Sequence, residues 1–333
     1  MNKPDTESGS GKVSFFCVSL NPAIDTRLVL DEFHVGRVNR ASEVHRTPGG
    51  KAAHVAMALQ ALCAIPTWIG FSGGATGSEL KEGLTSLKIE AVSVPTADDT
   101  RVNLEIINAR GGVTEILEPG GTITPSEWGE FQKTCANEFQ RIASKKIVLI
   151  SGSQPPGVPA EASAVLLKLA QSSGCLAFLD ISGSPLTDAL AEGPDFVKIN
   201  REEAQSVVGI VVDDPVSAEQ AVRKMLERGA KSAAISIGDR GIVGIQRRDE
   251  PALHAWTPPL HPKSTVGCGD SALAGFAFAT ASSLSFERRL TLAVACGAAN
   301  CLAPLPARIK QEDVSCFEPG VRVEPVLRKE TAR

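Results

Sequence analysis

Apolar residues fall in short runs along this chain, and most runs stop at a turn former. Residues 13–20, 65–71, 146–150, 175–180, 195–198 and 231–237 show little alternation, the pattern of strands covered on both faces of a parallel sheet. Between and after them, 52–62, 78–87, 124–142, 160–171, 185–191, 201–208, 216–228, 270–281 and 286–301 read as helices; Val55, Ala58, Leu59 and Leu62 form one apolar stripe. Such alternation of strand and helix predicts an α/β fold, a doubly wound, mainly parallel sheet with helices on both faces. A second pattern interrupts it. Residues 26–31, 40–46 and 100–107 alternate polar and apolar, with Val102, Leu104 and Ile106 on one side of the last stretch and Arg101, Asn103 and Glu105 on the other. Joined by 113–117 behind a turn at 108–112, they predict a small antiparallel sheet built from two insertions, its polar trio facing a wet binding surface.

Candidate chemistry collects where the runs end. Ser264-Thr265-Val266-Gly267-Cys268-Gly269-Asp270 is a loop that opens a helix. Gly267 and Gly269 let the backbone approach a ligand, and the free N–H groups of the helix start face an anion, most simply a phosphate. Asp270 is either a charge that favours the helix or a carboxylate that takes a proton from an attacking hydroxyl. Gly49-Gly50-Lys51 makes a second junction of this kind. A cation opposes the helix dipole there, so Lys51 is either a solvated side chain or a partner of the helix end in attracting phosphate. Asp25 lies just beyond a strand end, where open α/β sheets bind ligands, or else it caps a turn. Ser153, in the loop 151–157, is a turn serine or a hydroxyl that binds a phosphate. Asn200 and Glu203 read as a capping box that needs no ligand, and Ser236, Gly238 and Gly241 as a hairpin turn. Neither G-x-x-x-x-G-K-[ST] nor G-x-G-x-x-G occurs, which removes the Walker and dinucleotide readings.

Composition narrows the classes further. At 333 residues and 43% apolar, the chain supports one large domain or two smaller ones. A net charge of −4 leaves no basic field, so nucleic acid is not expected as a partner. Residues 1–12 are polar and Gly/Ser-rich and read as a disordered leader; no run reaches bilayer length, so no membrane is expected. The eight cysteines show no zinc-ligand spacing and read mostly as small buried residues, which with no export signal favours a reducing cytoplasm.

Thr265-Val266-Gly267-Cys268-Gly269-Asp270-Ser271 resembles the signature of the ribokinase-like (PfkB) carbohydrate kinases, which usually carry Ala at the position of Cys268. Further landmarks follow in order: Asn21-Pro22-Ala23-Ile24-Asp25, Gly49-Gly50-Lys51, Thr100-Arg101-Val102-Asn103, the loop 151–157, Lys198-Ile199-Asn200-Arg201-Glu202-Glu203 and Ser236-Ile237-Gly238-Asp239-Arg240-Gly241. The likeness is greatest to the branch of 1-phosphofructokinases, tagatose-6-phosphate kinases and minor-type 6-phosphofructokinases. It implies an α/β domain from 13–25, 47–90 and 119–312, a β-sheet lid from 26–46 and 91–118, a fraying tail at 313–333, and a homodimer through the lid. It also implies ATP and Mg²⁺, with Asp270 as the base beside Gly267, Cys268 and Gly269. Asp25, Gly49, Gly50, Lys51, His54, Arg101 and Ser153 would bind the sugar, Ser236, Gly238 and Gly241 the nucleotide, and Asn200 and Glu203 the metal through water. Arg101 favours a phosphorylated ketohexose, because a phosphomonoester gains from a bidentate guanidinium; Arg37 and Arg40 would add charge across a dimer. Tagatose 6-phosphate or fructose 6-phosphate kinase is the alternative, and a catalytically silent sugar-phosphate sensor the alternative of another class. The chain departs from the family at Ala52, usually Gly, at His54, usually Asn, and at Ile199, usually Pro. A neutral His replaces Asn toward a sugar hydroxyl only with a fixed tautomer, or else makes the site pH-sensitive.

Overall fold

The computed structural model describes residues 13–108, 110 and 112–327; the leader expected at 1–12 lies outside the described residues. In chain order the elements are β1 (Val13–Ser19), β2 (Ala23–Leu30), β3 (Glu43–Gly49), α1 (Lys51–Ala61), β4 (Pro66–Ser72), α2 (Gly74–Ser86), β5 (Glu90–Pro95), β6 (Arg101–Asn108), β7 (Val113–Leu117) and α3 (Pro125–Phe139). They continue as β8 (Lys145–Ser151), α4 (Ala162–Ser172), β9 (Leu176–Asp180), α5 (Ser184–Leu190), β10 (Phe196–Asn200), α6 (Arg201–Val208), α7 (Pro215–Glu227), β11 (Ala233–Ser236), β12 (Ile242–Ile245), β13 (Leu253–Trp256), α8 (Cys268–Ala281), α9 (Phe286–Leu302), α10 (Gln311–Phe317) and β14 (Arg322–Pro325).

The runs without alternation became one sheet of ten strands, ordered β14-β13-β12-β11-β10-β9-β8-β1-β4-β5. From β5 to β11 every neighbouring pair is parallel, while β12, β13 and β14 alternate in direction at one edge. Burial on both faces follows from the pleat. In β1, Phe16 and Val18 enter a core under α3 to α7, and Phe15 and Cys17 enter a second core with α1, α2, α8, α9 and α10. The stripe expected on α1 is wider in the structure: residues 52–59 are all buried, because Ala-rich faces let α1 pack against both the sheet and α8.

The small sheet has the order β3-β2-β6-β7. Its two hairpin-like pairs are antiparallel, but β2 and β6 run parallel, with Asp25 opposite Asn103, which corrects the all-antiparallel expectation. Boundaries also differ: β2 begins at Ala23 and β3 runs to Gly49, so the first piece of the small sheet is 23–49 and includes Asp25. Residues 90–95 pair with β4 in the large sheet, so the second piece of the small sheet begins only at Arg101. The tail does not fray at 313: α10 and β14 are ordered, Val323 pairs with Ala255, and β14 closes the sheet edge.

Helix starts are capped in different ways. α3, α6 and α7 begin with complete capping boxes at Thr124, Asn200 and Asp214. α1 and α8 begin at Gly50 and Gly267, both with φ of 81°, and neither has a side-chain cap. A positive φ suits glycine; Ala53 N–H donates to Gly50 O at 3.1 Å and Cys268 N–H to Thr265 O at 3.2 Å, and no side chain caps either helix start.

Candidate active site

The carboxyl ends of β1, β8, β9, β10 and β11, the small sheet, and the starts of α1 and α8 enclose a cleft of about 710 Å³. Open α/β sheets bind ligands at this end because the loops and helix N-termini converge there. Of the predicted site residues, all but Gly49 line it. Gly49 lies behind Asp25, where a Cβ would come within 2.2 Å of the carboxyl group, so its absent side chain makes room for that aspartate.

At the centre stands His54. Its Nδ1 is 2.9 Å from Asp270 Oδ2, and its Nε2 is 2.9 Å from Asp25 Oδ2, an ion pair by distance without the alignment of a hydrogen bond. Asn103 Nδ2 donates to Asp25 Oδ1 at 2.9 Å. Burial disfavours the imidazolium, yet the two carboxylates outweigh it and raise the His54 pKa to about 10. Burial likewise works against the Asp25 carboxylate, and His54, Asn103 and the Gly50 N–H reverse it, holding its pKa below the ordinary value. Of the two expectations, a neutral imidazole of fixed tautomer or a pH-sensitive one, the two flanking carboxylates favour a charged imidazole shared between them.

Lys51 is neither solvated nor free. Its Nζ donates to Asp180 Oδ1 at 2.6 Å and to Glu203 Oε1 at 3.1 Å, and Lys198 Nζ donates to Asp180 Oδ2 at 2.6 Å. Asp180 is fully buried; burial raises its pKa, but the two lysines prevail and lower it to about 2. The same carboxylates, with Asp270, hold Lys51 charged against its desolvation. Gly269 makes this cluster possible, since a Cβ there would meet Lys198 Nζ at 2.6 Å. Asn200 and Glu203 form the capping box, Asn200 N–H donating to Glu203 Oε2 and Glu203 N–H to Asn200 Oδ1. Among the described residues no group of three His, Cys, Asp or Glu side chains is arranged to hold a metal ion. With both Glu203 oxygens already accepting N–H groups, the pair fits an ion reached through water and not direct ligation.

Arg101 donates from Nη1 to Glu118 O at 2.7 Å and from Nη2 to Asn21 O at 3.0 Å, which leaves three of its five donors. Ser153 Oγ accepts from Asn21 Nδ2 at 3.1 Å. Glu105 is not on a wet surface. It is buried, pairs with both Nε and Nη2 of Arg27 at 2.8 and 2.9 Å, and accepts from Ser264 Oγ at 3.0 Å. Arg27 also donates to Pro304 O. Ser264 in turn accepts from Val266 N–H at 3.2 Å, so the small sheet is bonded to the loop that precedes α8. On the other side of that loop, Asn300 Nδ2 donates to Val266 O at 2.8 Å. The Cys268 and Cys301 sulfurs are 3.4 Å apart. Ser236 and Ile242 do pair as the ends of a hairpin, and Gly241 is required by close packing, a Cβ there falling 2.0 Å from Ala255 O.

Sequence reasoning passed over Asp180, Lys198, Cys301, Asn300 and the Arg27–Glu105 pair. Two signals were available: Asp180 ends an apolar strand run, and Asn300 is a polar residue in a helix of small apolar ones. Four of the eight cysteines are buried, short of the expected majority, with Cys63 and Cys316 exposed and Cys268 and Cys301 partly so.

Comparison with known proteins places this geometry. The family model described as pfkB family carbohydrate kinase matches residues 16–311. The chain is 30% identical to the ATP-dependent 6-phosphofructokinase isozyme 2 of Escherichia coli (strain K12), covering 87% of this chain and 93% of that protein. It is 29% identical to the 1-phosphofructokinase of Bacillus subtilis (strain 168), covering 86% and 92%. A crystal structure of phosphofructokinase-2 from Escherichia coli in complex with substrates and products superimposes with a TM-score of 0.84 at 28% identity, covering 92% of this chain and 98% of that one. The fold is ribokinase-like. A match that runs from the first strand of the sheet to the start of α10 is more than a borrowed motif: the chain belongs to the pfkB family of carbohydrate kinases.

Proposed function

We propose that this kinase transfers the γ-phosphate of ATP to a hydroxyl of a phosphorylated ketohexose, in the manner of a 1-phosphofructokinase. The observation that carries the reading is the convergence of two uncapped, glycine-opened helix starts on one cleft that also holds Asp270 and Asp25. Phosphoryl transfer asks mainly for positioning and for neutralisation of charge. The amides of Gly267 and Gly269 receive the γ-phosphate, with the Lys198 ammonium directly beneath Gly269. Asp25 and Asn103 orient the sugar, and Asp270 takes the acceptor proton on Oδ1, because Oδ2 is held by His54. Asn200 and Glu203 would reach Mg²⁺ through water, and the ion would neutralise phosphate charge. The remaining donors of Arg101, with Ser153, recognise the second phosphate of the acceptor.

Exposed Val35, Val38, Val44 and Ile116 in and beside the small sheet favour a homodimer through that lid, which light scattering of the eluted protein would test. Eight free thiols fit a cytoplasmic location.

The test is an ADP-forming assay over fructose 1-phosphate, fructose 6-phosphate, tagatose 6-phosphate, fructose and ribose. Turnover with a sugar phosphate is expected; turnover only with unphosphorylated sugars, or none, would overturn the reading. Asp270→Asn is expected to lower kcat by about 10²–10⁴-fold with sugar binding retained. Arg101→Ala is expected to raise the KM for the sugar phosphate and leave that for ATP unchanged; equal effects on both would argue against a phosphate contact.

A further inference from the structure

Two thiols stand where the nucleotide side of the cleft meets the anion loop. Cys268 is the first residue of α8 and Cys301 lies in the last turn of α9; both line the cleft, and their sulfurs are 3.4 Å apart. The helices that carry them pack at backbone distance, since a Cβ on Gly275 would meet Leu292 O at 2.7 Å. The sulfurs are therefore held close by the fold. Asn300, the neighbour of Cys301, donates from Nδ2 to Cys268 Sγ at 3.2 Å as well as to Val266 O, and its Oδ1 accepts from Ala307 N–H at 2.6 Å and from Ser271 Oγ at 3.3 Å. One asparagine thus ties the Cys268 thiol to the loop that would cradle phosphate. The other cysteines lack such an arrangement: Cys17, Cys135, Cys175 and Cys296 are buried, and Cys63 meets Gln311 Oε1.

A disulfide needs its sulfurs about 2.0 Å apart, so closing this pair asks for a small movement that comes at the expense of the Asn300–Cys268 contact. We propose that Cys268 and Cys301 are a dithiol modification site that a peroxide converts reversibly to a disulfide, disabling the anion loop. Cys301 loses its proton to water, and its thiolate attacks a peroxide oxygen; the O–O bond breaks, leaving a sulfenic acid and, once hydroxide is protonated, water. The Cys268 sulfur, its proton also released, then attacks the sulfenic sulfur and expels hydroxide, which becomes the second water. Two thiols are oxidised by two electrons, and one peroxide is reduced to two waters. Either sulfur can donate across the 3.4 Å contact; with Cys268 as the donor the Cys301 thiolate is favoured, while that contact and then burial hold the Cys268 pKa up. Afterwards Cys268 and its amide are drawn toward α9 and out of register with Gly267 and Gly269.

Disablement of the loop rests on the proposed kinase reading; formation of the disulfide does not. The experiment uses the full chain carrying Cys63→Ser and Cys316→Ser, titrated with hydrogen peroxide, alkylated and mapped by mass spectrometry. The expected result is a peptide cross-linked between residues 268 and 301, lighter by two hydrogens. Activity falls by about a hundredfold, the loss seen when one anion-holding donor is removed, the thermal shift given by ATP shrinks, and dithiothreitol restores both. Cys268→Ala and Cys301→Ser, each compared with itself before treatment, keep their own activity. Absence of the 268–301 peptide overturns the site, as does equal inactivation of the two variants. A cross-link that leaves activity and ATP shift unchanged overturns the switch. Should the untreated protein neither turn over nor respond to ATP, the kinase reading falls, and the peptide map still decides the disulfide.

Discussion

His54 shows how one side chain changes the chemistry of its neighbours. An imidazole enclosed by protein ordinarily prefers to be neutral, but here the Asp25 and Asp270 carboxylates sit at its two nitrogens and keep it charged. Its pKa is raised from 6.5 to about 10. The stability it contributes is thus present in full below about pH 6.5 and is lost as pH rises through about 10. Asp25 acts in the opposite sense: its depressed pKa gives stability above the ordinary carboxylate range that is lost in acid. The expected outcome is a melting temperature that falls between pH 7 and pH 10 in the wild type and falls less in His54→Asn, measured by differential scanning calorimetry. Parallel profiles for the two proteins would show that the imidazole is neutral. Lys51, held charged by Asp180, Glu203 and Asp270, does not titrate in that window.

Among the elements, the helix starts and the small sheet carry the argument. α3, α6, α7 and α9 cap their first turn with a side chain, whereas α1 and α8, which open on the cleft, each start at a glycine with no side-chain cap. The link between β2, β6 and the loop before α8 is equally specific, because Arg27 and Glu105 are buried together and Ser264 bonds to the carboxylate. Removing one member of a buried ion pair leaves the other uncompensated, which costs about 3–5 kcal/mol, whereas replacing both with apolar groups is often neutral. Arg27→Met is therefore expected to lose about 3 kcal/mol in urea unfolding, and the double change Arg27→Met with Glu105→Leu to recover most of it. A single variant as stable as the wild type would show that the pair is dispensable.

For the molecule as a whole, the last described strand closes the larger sheet. β14 covers the edge of β13, and Val321 and Val323 pack against the core beside α9. Deleting residues 318–333 should cost about 2 kcal/mol for those partly buried side chains and leave β13 as an open edge prone to pairing between molecules. Thermal denaturation and static light scattering would register both effects. An unchanged melting temperature would mean that β14 adds nothing to the fold. The same edge explains why local pattern points to a fraying tail: 318–327 is short and broken by prolines at 319 and 325, and only its partner β13 makes it a strand.

Much of this protein is written in local pattern. Apolar runs without alternation can be buried only between two helical layers, so the parallel sheet follows from composition and period. Glycines at 50, 267 and 269 announce helix starts left open, and Asp25 and Asp270 stand at strand and helix ends where ligands bind. Pattern does not carry contacts across many residues. That Lys51 is spent on Asp180 and Glu203, that His54 is a cation between two carboxylates, that Glu105 is buried on Arg27 and that Cys268 faces Cys301 depend on side chains up to hundreds of positions apart meeting at one sheet end. Charge state and pairing are properties of the enclosed space, which exists only once the chain has folded around it.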